Sequence, residues 1–130
     1  MPSKRVRLTK HFRLDEWDCM DGTPVPERYH INVTHCAHNL QVLRDFLNKP
    51  IRITSGWRSK EHNRKVGGMR NSQHLVGLAA DIRVFGYDPD ILASRVEGLI
   101  RIGAMTQGGI GIYDDFLHVD FRGKKARWHG

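Results

Sequence analysis

Three residues of this 130-residue chain stand out for their chemistry: His74 and Asp81 in the run Ser72-Gln73-His74-Leu75-Val76-Gly77-Leu78-Ala79-Ala80-Asp81, and His118 in His118-Val119-Asp120. Two imidazoles and one carboxylate make a hydrolytic zinc set. Zinc takes His nitrogen and Asp oxygen at roughly 2.0–2.2 Å, and a catalytic site pairs three protein ligands with one open position.

The elements that must position these residues follow from spacing. His74 and Asp81 are too far apart, with Gly77 between them, for one uninterrupted helix to present both. The small run 77–80 suits a tight bend entering a strand over 80–85. The segment 116–121 is β-branched and aromatic, and its alternation sets His118 and Asp120 on one face with Leu117, Val119 and Phe121 on the other. Two neighbouring strands therefore bring Asp81 and His118 to one metal.

The pattern Ser72-x-His74-x-x-Gly77-x-Ala79-x-Asp81 followed by His118-x-Asp120 resembles the M15 family of zinc D-Ala-D-Ala carboxypeptidases and L-alanyl-D-glutamate endopeptidases. Ile53-Thr54-Ser55-Gly56-Trp57-Arg58-Ser59, His62-Asn63, Val66-Gly67-Gly68 and Gly108-Gly109-Ile110-Gly111-Ile112-Tyr113 extend the likeness over residues 12–128. Trp57 stands where the family often has Tyr.

The resemblance implies an α+β, hedgehog / D-Ala-D-Ala peptidase-like fold with a small antiparallel sheet. It implies that His74, Asp81 and His118 bind Zn2+, and that Asp115, three residues before the last ligand, takes a proton from water and passes it to the leaving amine. Strict alternation would instead turn Asp115 away and favour Asp120, which stays as rival or as a partner of the ligands. Arg58 would neutralise charge on substrate or intermediate, while Ser72 and His62 are candidate substrate contacts. Ser72 is equally a candidate cap, His62 a structural hydrogen-bonding residue, and Arg58 a partner for Glu61. His35 and His38, at helical i,i+3 spacing, read as an exposed helix face.

The implied activity is hydrolysis of an amide bond in the peptidoglycan stem peptide by a compact, phage-endolysin-like endopeptidase. A D,D-carboxypeptidase and a non-catalytic zinc-stabilised module, such as a wall-binding or phage tail component, are the alternatives.

The length suits a single domain spanning residues 1–130, with 1–11 as a flexible basic arm, and the chain reads as a monomer. Lys and Arg outnumber Asp and Glu by 21 to 14, for a net charge of +7, with clusters at 4–7 and 122–127. Such a surface favours anionic partners, including the carboxylates of stem peptides. No zinc-finger or aromatic-basic motif argues for nucleic acid. Cys19 and Cys36 form no CxxC pair and read as free thiols. The N-terminus has no apolar signal stretch and nothing is long enough to span a membrane. The expectation is synthesis in a cytoplasm and action at the wall or periplasm.

Around the site, 34–48 reads as a helix with Thr34 as N-cap, Leu40, Leu43, Phe46 and Leu47 on its apolar stripe and Pro50 beyond it. Residues 89–102 read as a second helix, with Asp88 as N-cap and Gly103 at its end. Strands are expected at 51–54 and 109–113, and an ordered loop at 21–26.

Overall fold

A computed structural model describes residues 5–130. It holds α1 (His30–Leu47), β1 (Arg52–Ser55), α2 (Lys60–Lys65), β2 (Ala79–Arg83), α3 (Pro89–Arg101), β3 (Gly109–Ile112), β4 (Leu117–Asp120) and β5 (Ala126–His129). Short 3-10 turns lie at Leu14–Trp17, Glu27–Tyr29 and Gln73–Val76. The architecture is α+β.

The strands form one sheet in the order β1-β2-β4-β3-β5. Its first four strands pair antiparallel, as expected, but β5 runs parallel to β3, so the sheet is mixed. Nothing in the basic run 122–127 announced that edge strand.

The period-2 rule splits each strand between two faces. Ala80, Ile82, Leu117, Val119 and Ile110 turn into the core, where they meet Leu40, Leu43, Leu92, Val96 and Leu99. α1 buries Val33, Cys36, Ala37, Leu40, Leu43 and Leu47 at helical spacing. Phe46, expected on that stripe, is exposed. α1 also begins earlier than expected, so Thr34 lies inside it and its hydroxyl donates to the His30 carbonyl. The helix stops at Asn48, whose φ of 52° is left-handed. α3 begins at Pro89, whose missing N–H costs nothing at a helix start.

The opposite face carries one row of paired residues across all five strands: Ser55, Asp81, His118, Gly111 and Trp128. An irregularity in β1 between Ile53 and Ser55 shifts the register so that Ser55 faces Asp81.

Part of the basic arm at 1–11 is hydrogen-bonded to the rest of the chain. Leu14 N–H donates to the Val6 carbonyl, and Thr9 and His11 both donate to the Gln41 side chain. Residues 1–4, including Lys4 of the first basic cluster, lie outside the described residues. No helix among the described residues is long and apolar enough to cross a membrane.

Candidate metal centre

Asp81 and His118 are direct partners across the β2–β4 ladder, and His74 reaches them from the 3-10 turn Gln73–Val76. That turn is capped by Ser72, whose hydroxyl accepts the His74 N–H, and it ends at Gly77 with φ 77°, a conformation that favours glycine. The bend anticipated from the small residues is therefore the device that folds His74 back over the sheet.

All three side chains are buried. His74 Nε2 and His118 Nδ1 each lie 3.1 Å from the same oxygen, Asp81 Oδ1. Donors on a tetrahedral zinc stand about 3.3 Å apart at the usual bond lengths. Their outer contacts fix which nitrogens face the metal. His74 Nδ1 donates to the Gly56 carbonyl at 2.6 Å, and His118 Nε2 donates to Asp120 Oδ2 at 2.8 Å. A carbonyl oxygen can only accept, so the proton of neutral His74 sits on Nδ1 and the lone pair on Nε2. With the Nε2 proton of His118 given to Asp120, its Nδ1 is the metal-facing atom. The donor set, the spacing and the outer hydrogen bonds fit zinc.

Protonation follows from the surroundings. Burial pushes the His74 pKa down and outweighs its contact with Asp81, which favours the neutral, ligating form. Burial acts in the same sense on His118, but the Asp120 and Asp81 carboxylates outweigh it and raise its pKa. Burial works to raise the carboxyl pKa of Asp81 too, yet hydrogen bonds from His118 and His74 hold it well below the usual range. Metal uptake by this cluster therefore competes with a proton on His118.

Asp120 pairs with His118 and does not line the cleft. Its side chain is fully buried, takes two bonds from Arg122 at 2.8 and 2.7 Å, and accepts the Gly109 N–H at 2.8 Å. A Cβ on Gly109 would overlap the Asp120 carboxylate. Removing a partner of this kind costs about 10- to 100-fold in metal affinity. Asp120→Ala is accordingly expected to weaken zinc binding by that factor, which a competition titration against a chelator measures.

Asp115 does not line the cleft over the cluster. Tyr113 N–H donates to the Phe116 carbonyl, and the two rings stack with centroids 4.4 Å apart. Both rings line the cleft, Phe116 also borders a neighbouring hollow, and the turn tip between them carries the exposed Asp114 and Asp115. Asp115 is exposed and lines a separate hollow with Arg52, Arg83 and Tyr87. The turn, rather than strand alternation, decides its direction.

The cleft over the metal cluster has a volume of about 770 Å³ and is lined by Arg58, Ser72, Tyr113, Phe116, Arg122 and Trp128 among others. Arg58 donates through NH2 to Asp81 Oδ2 at 3.1 Å, through Nε to Ser55 and through NH1 to Asn63. Those bonds spend three of its five N–H donors and leave one on each terminal nitrogen for a ligand. The alternative pairing with Glu61 is not formed among these contacts. His62 does not line the cleft; it lies beside Cys19 and Asp21.

Trp128 and Tyr113 complete a wall that the sequence reading missed. The Trp128 ring lies over Gly111 and comes within 5.0 Å of the His118 ring, centroid to centroid, and its indole N–H donates to Tyr113 Oη at 3.0 Å. A residue with any side chain at position 111 would collide with that indole. The alternation Ala126-Arg127-Trp128-His129 was the available signal, too short to separate from a basic tail.

A family model described as Peptidase M15 matches residues 10–120. No curated protein matches the chain. The match covers every residue of the His74, Asp81 and His118 cluster and most of the sheet that presents it, and the chain belongs to the peptidase M15 family, a family of metallopeptidases.

Proposed function

We propose that this protein is a zinc-dependent peptidoglycan hydrolase that cleaves an amide bond of the stem peptide, acting as an endopeptidase of the lysin type at the wall or periplasm. The observation that carries the reading is the convergence of His74 Nε2 and His118 Nδ1 on Asp81 Oδ1 beneath a cleft open to a peptide. A zinc ion held by these three residues supplies Lewis acidity, polarising an amide carbonyl and making water nucleophilic near neutral pH.

The remaining groups bind and orient. The two unspent donors of Arg58 form a fork suited to a substrate carboxylate or carbonyl oxygen. Tyr113 Oη accepts from Trp128, whose indole can only donate, so its own proton is available to an oxygen in the cleft. That hydroxyl is suited to the charge that develops on the carbonyl oxygen during attack. The net charge of +7 draws acidic stem peptides towards the protein. The fork on Arg58 also favours one second reading, a D,D-carboxypeptidase that grips the terminal carboxylate.

Mass spectrometry of purified peptidoglycan incubated with the zinc-loaded protein, with and without chelator, tests both. New zinc-dependent amine ends inside the cross-linked stem support the endopeptidase, release of a single terminal residue supports the carboxypeptidase, and an unchanged wall supports a binding module.

A further prediction concerns the expected base. Because Asp115 is exposed and lines a neighbouring hollow instead of the cleft, Asp115→Ala is expected to keep activity within about threefold of the parent, as surface substitutions away from special contacts usually do. Assayed at equal zinc content, a loss of two orders of magnitude or more would restore Asp115 as the proton carrier.

A further inference from the structure

His62, Cys19 and Asp21 form a second cluster that the cleft does not use. One donor atom of each, the Cys19 thiol sulfur, an Asp21 carboxylate oxygen and a His62 ring nitrogen, lies within 4.8 Å of the other two. The three come from segments about forty residues apart in sequence, so local chain geometry does not account for their meeting.

Both segments are held in place independently of any ligand. Residues 19–23 close on themselves through Cys19 N–H to the Thr23 carbonyl and Gly22 N–H to the Cys19 carbonyl, both at 2.9 Å. Asp21 accepts the Thr23 N–H at 2.9 Å. On the other side, Ser59 caps α2 by accepting the His62 N–H, and its hydroxyl donates to Asp21 Oδ2 at 2.8 Å. Cys19 is a free cysteine and is only 4% exposed, whereas the His62 ring makes no hydrogen bond or ion pair among the described residues. A buried thiol, an unspent imidazole and a carboxylate thus converge at a preformed junction.

We infer that Cys19, Asp21 and His62 form a second metal site, distinct from the His74, Asp81 and His118 centre, for a borderline transition ion such as zinc. The donor chemistry argues for the class of ion: thiolate and imidazole select zinc and its neighbours over magnesium or calcium, which prefer oxygen alone. Binding releases the Cys19 proton to solvent, and the resulting thiolate, with Asp21, balances the charge of the cation. The bound ion ties the 19–23 loop to α2, which begins two residues after Arg58, the residue that grips Asp81. Its role is therefore a clamp on the cleft wall.

Cobalt substitution separates the two centres, because only this one contains sulfur. Protein loaded with Co2+ and desalted is expected to hold two equivalents by elemental analysis and to show a near-ultraviolet thiolate-to-cobalt charge-transfer band. In Cys19→Ser the band should vanish and one equivalent remain, and His62→Ala, a change on a short surface helix, should do likewise. His118→Ala should lose an equivalent but keep the band. One equivalent with no band in the parent protein overturns the inference, as does a band that survives in Cys19→Ser or disappears in Cys36→Ser. These readouts are independent of hydrolysis, so a failure of the peptidase reading leaves them unaffected.

Discussion

Replacing His118 by alanine is expected to remove one equivalent of bound zinc and to reduce wall hydrolysis by more than about 100-fold, since losing only an outer partner of a ligand already costs about 10- to 100-fold in affinity. The effect is large because His118 has contacts on both sides: Asp81 at Nδ1 and Asp120 at Nε2. Alanine breaks both at once and leaves Asp120 facing an empty space. The fold should persist, because Asp120 keeps Arg122 and the Gly109 N–H, and Asp81 keeps Arg58. Unchanged circular dichroism alongside lost metal is the predicted signature. Retained zinc stoichiometry together with retained lysis would take His118 out of the ligand set.

The second large effect is on stability. Trp17 is fully buried, meets Phe12 edge-on at 6.0 Å between centroids, and accepts the Trp57 N–H on its carbonyl. Trp17→Ala is expected to cost about 3–5 kcal/mol in denaturant unfolding, the usual range for emptying an aromatic site. The site feels the loss as well. A Cβ on Gly56 would come 2.6 Å from the Trp17 Cα, and the Gly56 carbonyl is the acceptor that orients His74. Zinc affinity should fall with stability. Trp17→Phe makes an informative contrast, because the Trp17 indole N–H has no hydrogen-bond partner among the described residues. Phenylalanine removes that unpaired donor, and removing it offsets part of the packing lost. A cost below about 1.5 kcal/mol is expected, and a cost equal to that of alanine would show that neither the retained ring nor the removed donor offsets the loss.

The parts of the molecule legible in the sequence are those where one residue type has one physical use. Gly77 marked the bend, and the alternation of His118 and Asp120 marked the face they share. The apolar spacing of Leu40 and Leu43 marked α1. What stayed hidden depends on partners distant in sequence. β5 looks like a basic tail because Arg127 is charged; its partner Glu97, 2.7 Å away, lies 30 residues earlier. α2 has only six residues and no apolar stripe, and its cap Ser59 was its one local cue. The placement of Asp115 was hidden for a different reason: it sits on a turn flanked by the stacked rings of Tyr113 and Phe116, and neither periodicity nor spacing encodes a ring stack.

The row of Ser55, Asp81, His118, Gly111 and Trp128 has a consequence for how the chain can go wrong. A slip of one residue between β2 and β4 would send Asp81 or His118 to the helix-covered side and bring Ile82 or Leu117 out to solvent, because successive side chains alternate. No partially slipped sheet can retain the ligand set, so metal capture discriminates between registers. Since an ion that binds only the correct pairing shifts the population towards it, zinc present during refolding is expected to act as a proofreader of strand alignment.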